Sequence, residues 1–228
     1  GWPVHSEIIK RKVLKDLVDI YNNAHDMTAM EFFEQLKPVL SYIPDNHISL
    51  RFNKQRVGTH RTRKAVNIGK NIAGDKQIAT QMKNGIAIIG FTRMLRNDDF
   101  ANTILEFAKN TLPKSTALII DLRGNGGGLM SEAVNIISLF VPKGSLAVSS
   151  KGMTDDSRRE YKTMSEPIDT EIAVIVMVDG GSASASEIVS GGLQDLKRAT
   201  IMGTTTFGKG LVQSIRPLPY NGQMKVTT

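Results

Sequence analysis

The sequence has no cysteine, few aromatic residues and no long apolar run. Without cysteine, thiol catalysis, disulfide bonds and cysteine-based metal sites are excluded. No apolar stretch approaches the ~20 residues that a transmembrane helix requires, so we predict no transmembrane segment. The apolar fraction of 40% and the mixed charges of the 228 residues instead predict a globular protein of one or two domains.

Basic residues outnumber acidic ones, and the formal net charge is +7. They cluster at Lys10–Lys15, on a predicted helix, and at Lys54–Lys70. The second cluster lacks the interleaved aromatic residues on which single-stranded nucleic acids stack. We therefore interpret it as a solvated linker and predict no nucleic-acid partner. Attraction to anionic envelope surfaces or to acidic substrates is the alternative explanation of the charge.

Three alternating serines, in the motif SASAS, stand before a predicted amphipathic helix, and Ser184 is the middle one. A serine at the start of a helix projects its hydroxyl beside backbone N–H groups that the helix leaves unpaired. Such groups can stabilise a developing oxyanion. Taken alone, the motif is also explained as a plain helix N-cap.

A lysine between two glycines, Lys209 in FGKG, follows this helix and the next predicted strand. Serine and lysine together have the layout of an acyl-transfer site, because a serine hydroxyl needs a neighbouring base. The pKa of a free lysine is about 10.4, whereas a useful general base has a pKa of about 7–8. Such a site must therefore disfavour the ammonium form of the lysine by roughly 4 kcal/mol.

A glycine-rich loop, in DLRGNGGGL, follows the predicted buried strand Thr116–Leu122 and precedes a predicted helix. A strand, a glycine-rich loop and a helix in this order form a cradle for an anion or an oxyanion. Nucleotide-binding loops share that order, but GNGGG matches neither GxGxxG nor the GxxxxGK motif. The loop therefore favours an oxyanion over a nucleotide.

Several segments resemble, in order and spacing, the protease core of the C-terminal processing (tail-specific) peptidases. They are IGFTRM, ALIIDLRGNGGGL, VIVMVDGGSASASEIVSGGLQD, GTTTFGKGLVQS and GQMKVTT. The resemblance runs from about Ile86 to the last residue. It implies that Ser184 is the nucleophile, that Lys209 is the general base and that Gln213 orients the lysine. It implies neither a metal nor a cofactor.

The same resemblance predicts an oxyanion hole. It would use the N–H of Ala185, which follows the nucleophile, and a glycine N–H of the DLRGNGGG loop. Matching the last glycine of the motif selects Gly128, with Gly127 as the alternative. Asp195 occupies a position that has a structural role near the site in some members of the family.

His47, in the segment IPDNHISL, is a second candidate base. The segment resembles one that precedes the core in this family and in tricorn-type proteases, where a histidine serves as the base. Lys209 favours the serine–lysine pair, so we expect His47 to support the site or to face the substrate. A turn histidine that bonds nearby backbone explains the residue equally well.

The remaining expectations concern the rest of the protein. Family members carry a PDZ domain before the core, but the segment between Phe52 and Ile86 is too short for one. Their N-terminal helical region often helps dimerisation, so we expect a homodimer through the N-terminal helices. The chain starts at Gly1-Trp2 and stops where relatives continue, so we expect a piece of a longer protein. We also expect an extracytoplasmic location, in the periplasm or cell envelope or secreted.

Hydrophobic periodicity predicts alternating helices and strands, and hence a layered α/β fold. The predicted helices are His5–Ala24, a helix from the Thr28/Glu31 capping box to about Pro38, Asp99–Thr111, Met130–Phe140 and Ala185–Leu196. The predicted strands are Leu50–Phe52, Ile86–Phe91, Thr116–Leu122, Ser145–Ser149, Ile172–Val178, Ala199–Met202, Leu211–Arg216 and Gln223–Thr227. Asn221-Gly222 predicts a hairpin between the last two strands. Lys151–Pro167 is expected to be an exposed loop.

We divide the chain into an N-terminal helical region at 1–52, a basic linker at 53–84 and a peptidase core at 85–228. The resemblance implies that the core is a crotonase- or Clp-like β-α-β spiral. The predicted function is a serine endopeptidase that acts on extended or unfolded polypeptides through an acyl-enzyme. The alternative is a catalytically silent relative that binds peptides or apolar ligands in the same groove.

Overall fold

The computed structural model describes residues 6–42, 49–52, 55–57, 71–152 and 157–227. Its helices are α1 (Ser6–Asn23), α2 (Ala29–Ser41), α3 (Asp98–Glu106), α4 (Met130–Ser138) and α5 (Ala185–Asp195). Its strands are β1 (Ser49–Phe52), β2 (Gln55–Val57), β3 (Ile78–Lys83), β4 (Ile86–Phe91), β5 (Ala117–Asp121), β6 (Leu146–Ser150), β7 (Arg159–Lys162), β8 (Ala173–Val178), β9 (Thr200–Gly203), β10 (Gln213–Leu218) and β11 (Gly222–Thr227). The expected mixed α/β fold is confirmed.

Two compact units make up the chain, residues 1–64 with 211–228, and residues 65–210. These boundaries differ from those drawn from the sequence. The segment 211–228, assigned there to the peptidase core, groups with the N-terminal region because β11 pairs with β1. Such a pairing joins residues far apart in sequence, and local patterns carry no sign of it.

The first unit combines α1 and α2 with an antiparallel sheet in the order β10-β11-β1-β2. The capping box is confirmed, since Thr28 Oγ1 accepts from the Glu31 N–H and the Glu31 carboxylate accepts from the Thr28 N–H. The pKa of Glu31 is lowered because its carboxylate accepts from the Thr28 N–H and also from the Thr28 hydroxyl. The expected end of α2 near Pro38 is wrong. The helix continues to Ser41 because Val39 is buried in the core of this unit, and that packing outweighs the hydrogen bond that proline cannot donate.

The hairpin between β10 and β11 is confirmed, with its turn centred one residue earlier than expected. Tyr220 and Asn221 have φ of +57° and +58°, as the central residues of a type I′ turn do. Gly222 then starts β11 against the ring of Phe33, where a Cβ atom would come within 2.1 Å of Cζ.

The second unit holds a sheet in the order β3-β4-β5-β8-β9, whose last four strands are parallel. The sequences of the central strands β5 and β8 are nearly continuous apolar runs. Helices cover both faces of a parallel sheet, so most side chains on both faces of these strands are buried or half-buried. The helices α4 and α5 pack on this sheet through buried aliphatic residues such as Ile137, Val189 and Leu193.

Two segments of the second unit depart from expectation. The expected linker contains β3, which pairs antiparallel with β4 through Asn84-Gly85, both at positive φ. Asn84-Gly85 is therefore the two-residue turn of a β-hairpin. The strand β3 was not predicted because it is a largely exposed edge strand with several polar residues. The expected loop at 151–167 contains β7, which pairs with β6.

Parallel strands bring their carboxyl ends to one edge of the sheet, and ligand sites lie at that edge in α/β proteins. Here the loops after β5 and β8 are neighbours there. Asn71 joins the strand ends, since its Nδ2 donates to the carbonyl oxygens of Phe91, Asp121 and Arg123 at 2.9–3.1 Å. Within the described ranges, no helix is long and apolar enough to cross a membrane.

Replacing Asn71 with alanine should destabilise the second unit by about 1–3 kcal/mol, because it removes a hydrogen-bond donor from three carbonyl groups at the strand ends. Urea denaturation measures this. The control is Asn110→Ala, which removes an amide that bonds the exposed Glu106 one helical turn away. Equal effects of the two substitutions would contradict the role of Asn71.

Candidate active site

The backbone of Ser184 is strained. It connects β8 to α5 with φ +57° and ψ −114°, a conformation that residues other than glycine rarely adopt. Such a conformation costs about 1–3 kcal/mol and persists only where the surroundings enforce it. A sharp, strained turn between a strand and a helix is also how hydrolases expose a nucleophilic serine.

The two outer serines of the motif fix this turn. Ser182 is fully buried, and its Oγ donates to the Leu122 carbonyl at 2.7 Å and accepts from the Asp179 N–H at 3.0 Å. Ser186 is also fully buried, and its Oγ donates to the Asn125 carbonyl at 2.9 Å. Ser184 lies between them and is half-buried. The alternation of the motif therefore separates two structural hydroxyls from a third that they position.

Glu187 connects this turn to the loop that carries Lys209. Its Oε2 accepts from the N–H groups of Ser184 at 2.7 Å and of Lys209 at 2.9 Å. Its Oε1 accepts from the Gly208 N–H at 2.7 Å and from Thr206 Oγ1 at 2.8 Å. Glu187 is not among the site residues predicted from the sequence, although its place three residues after Ser184 is the spacing of a capping box.

The lysine loop has a second link to the serine turn. The Phe207 N–H donates to the Ser182 carbonyl at 2.9 Å. Gly208 has a φ of +81°, which a side chain would disfavour, and Lys209 itself is half-buried. The structure thus brings Ser184 and Lys209 together through backbone groups bound to one carboxylate oxygen.

Asn125 attaches the glycine-rich loop to the same turn. Its Nδ2 donates to the Phe91 carbonyl at 2.9 Å, and its Oδ1 accepts from the Gly127 N–H at 2.8 Å. Its carbonyl accepts from the Ala183 N–H at 2.9 Å as well as from Ser186. Asn125 is fully buried, so all of these groups need partners.

Gly127 touches the serine turn directly. A Cβ atom there would lie 2.9 Å from both Ser184 Cβ and the Ala185 nitrogen, and 2.5 Å from the Ala183 oxygen. Its φ of +93° also requires glycine. Its N–H is already bound to Asn125, however, and so is not available to an oxyanion.

Gly128 differs from Gly127 in the direction of its N–H. Met94 bridges this segment by donating to the Gly127 carbonyl and accepting from the Leu129 N–H, so the N–H of Gly128 faces away from Met94. It has no hydrogen-bond partner among the described residues. The Ala185 N–H is the first of α5 and lacks an intrahelical partner. Gly128 and Ala185 are therefore the available pair of donors.

Three further site residues were predicted from the sequence, Asp195, Gln213 and His47. Asp195 is exposed at the last position of α5, about three turns from Ser184, so the structure does not bring it to the serine turn. Gln213 is the first residue of β10, in the first unit. His47 lies outside the described residues. Across the described ranges, no cluster of three or more His, Cys, Asp or Glu side chains could hold a metal ion.

Sequence comparison relates the segment that carries this site to known peptidases. The profile of peptidase family S41 matches residues 85–228. A carboxy-terminal-processing protease of Bartonella bacilliformis is 39% identical over 146 residues, 61% of this chain and 33% of that protein. A chloroplastic C-terminal processing peptidase of Tetradesmus obliquus is 34% identical over 143 residues, 61% of this chain and 30% of that protein. The chain spans about a third of the length of these curated relatives.

Two solved structures share the fold of this chain. A photosystem II D1 C-terminal processing protease superposes with a TM-score of 0.56 and 27% identity, over 67% of this chain and 42% of that one. A lipoprotein from Streptococcus agalactiae superposes with a TM-score of 0.68 and 15% identity, over 99% of this chain and 77% of that one. The second match shows a shared fold along nearly the whole chain.

The contacts of Gly127 predict that Gly127→Ala slows labelling of Ser184 by a serine-directed fluorophosphonate about a hundredfold, since the added methyl displaces the Ala185 N–H from the predicted oxyanion position. Gly126→Ala is the matched control, because a Cβ at Gly126 meets no atom within 4 Å. It should label within about twofold of the unmodified protein. Equal rates for the two variants would refute the packing argument.

Proposed function

The chain belongs to peptidase family S41, and on this basis we propose that it is the catalytic part of a serine endopeptidase of the C-terminal processing type. Its substrate is an extended or unfolded polypeptide. The single observation that carries the proposal is the shared Glu187 carboxylate, which holds the backbone of Ser184 and of Lys209 at the same oxygen atom. Two residues of complementary chemistry are thereby held as neighbours at the end of a parallel sheet.

In the proposed reaction, Ser184 Oγ attacks the carbonyl carbon of the scissile bond while Lys209 Nζ, in its neutral form, takes the hydroxyl proton. The oxyanion of the tetrahedral intermediate accepts from the N–H groups of Ala185 and Gly128. Lys209 then gives the proton to the leaving amine, and the acyl group remains on Ser184. A water molecule, deprotonated by Lys209, hydrolyses this ester, and Lys209 returns that proton to the Ser184 Oγ that leaves the acyl carbon. Gln213 orients the lysine in this proposal.

The strain at Ser184 argues against a catalytically silent relative that only binds ligands. A binding groove gains nothing from a serine in a conformation that costs about 1–3 kcal/mol, whereas a nucleophile needs its hydroxyl presented in one direction. The protein acts outside the cytoplasm in this proposal. Substrate is captured without a PDZ domain, by main-chain pairing at a strand edge.

A homodimer through the N-terminal helices completes the proposal. The helix α1 buries one apolar face against α2 and exposes a second, formed by Leu14, Val18 and Tyr21 at 65%, 47% and 73% exposure. Spacings of four and three residues align these side chains along one stripe. Along α1, the basic Arg11, Lys12 and Lys15 precede the acidic Asp16 and Asp19, so two antiparallel copies would match these opposite charges.

Substitution of either catalytic residue tests the proposed mechanism. Ser184→Ala and Lys209→Met should each abolish cleavage of denatured β-casein, and the double variant should be no worse, because residues that act as one unit lose their effects non-additively. His47→Gln should retain the rise of kcat/KM with pH, since the base that loses its proton is Lys209. An active Lys209→Met together with an inactive, folded His47→Gln would assign the base to the histidine instead.

A further inference from the structure

Two exposed leucines lie side by side next to the glycine-rich loop. Met94 and Gly128 form a parallel bridge, so the residues that follow them, Leu95 and Leu129, are lateral neighbours. Met94 is fully buried, whereas Leu95 and Leu129 are 40% and 45% exposed. The pair therefore forms a small apolar surface one residue beyond Gly128.

The position of Leu129 is unfavourable for the fold. Leu129 is the N-cap of α4, and its side chain makes no capping hydrogen bond. Serine, threonine, aspartate or asparagine would stabilise this helix end by about 1 kcal/mol relative to an apolar residue. Exposure of the side chain brings little compensating burial. Leu129 thus occupies a position where a polar residue would stabilise the helix more, which indicates that its side chain has a role other than stability.

The neighbouring backbone indicates what this surface contacts. The N–H of Gly128 faces away from Met94 and is the donor that we assign to the oxyanion. Successive residues of an extended peptide are about 3.3 Å apart. A substrate whose scissile carbonyl lies at this N–H therefore places a flanking side chain within reach of the two leucines. A charged side chain would lose hydration there without a partner, whereas an apolar one would bury its surface.

We propose that Leu95 and Leu129 form a specificity subsite that binds an apolar side chain of the residue on one side of the scissile bond. The inference rests on the proposed peptidase function and adds the substrate class. Leucine, valine and methionine are favoured at that position, and aspartate, glutamate and lysine are disfavoured. The subsite is continuous with the candidate active site because Gly128 and Leu129 are adjacent.

The experiment compares Leu95→Asn and Leu129→Asn with Leu105→Asn. Asparagine is a good N-cap, so Leu129→Asn should retain or raise thermal stability. Leu105, on α3, is a similarly exposed leucine, at 48%, and serves as the control. Mass spectrometry of denatured β-casein digests first identifies the cleavage sites. Peptides from one site are then made with leucine or alanine at each residue that flanks the scissile bond.

At one flanking position the unmodified protein should prefer leucine over alanine in kcat/KM by about tenfold or more. Leu95→Asn and Leu129→Asn should each reduce this preference several-fold and leave the alanine peptide nearly unaffected, and Leu105→Asn should change neither value. An unchanged preference overturns the subsite. So does an equal loss for both peptides, which would assign the leucines a structural role only.

A binding measurement separates this inference from the proposed function. Fluorescence anisotropy with Ser184→Ala, alone and combined with Leu129→Asn, compares the affinities of the leucine and alanine peptides without any cleavage. If the unmodified protein cleaves nothing, the proposed function fails, and the binding comparison then uses an extended peptide with leucine or alanine at its centre. A leucine preference in binding that Leu129→Asn removes still supports the subsite, whereas equal affinities contradict it.

Discussion

The carboxylate of Glu187 is the contact on which the candidate site depends. It accepts four hydrogen bonds, from the N–H groups of Ser184, Gly208 and Lys209 and from the hydroxyl of Thr206. The two oxygens of a carboxylate can accept from all four donors, whereas an amide in its place would turn an NH2 group toward N–H groups. Hydrogen bonds to a charged acceptor are also about twice as strong as neutral ones. A single side chain can therefore hold two loops in one arrangement.

This arrangement holds the backbone of Ser184 in a conformation that it would not adopt alone. The buried hydroxyls of Ser182 and Ser186 fix the residues on either side, and Asn125 brings the glycine-rich loop against them. The parallel sheet supplies the frame, since it places the ends of β5 and β8 next to each other. The strain in this turn is thus at Ser184, and its cost is offset by hydrogen bonds among the serine turn, the lysine loop and the glycine-rich loop.

Local signals predicted most of the fold. Apolar runs located β4, β5 and β8, and the Thr28/Glu31 spacing located the start of α2. Long-range contacts were beyond such signals. The pairing of β11 with β1, and the bonds of Glu187 to a loop about twenty residues further on, exist only in three dimensions. Likewise, the sequence alone does not show which of the adjacent Gly127 and Gly128 has an unpaired N–H. The bridge between Met94 and Gly128 shows the direction of that N–H.

Amide hydrogen exchange in Glu187→Gln tests the central claim most directly. The account predicts that the amides of Ser184, Gly208 and Lys209 lose protection together, because all three donate to this carboxylate. The amide of Phe207, which donates to the Ser182 carbonyl, and the amides of β5 and β8 should stay protected. The control is Glu171→Gln, at an exposed position outside the site. Unchanged protection of Gly208 and Lys209, or loss at Ser184 alone, would contradict the claim that one carboxylate holds the serine and lysine loops together.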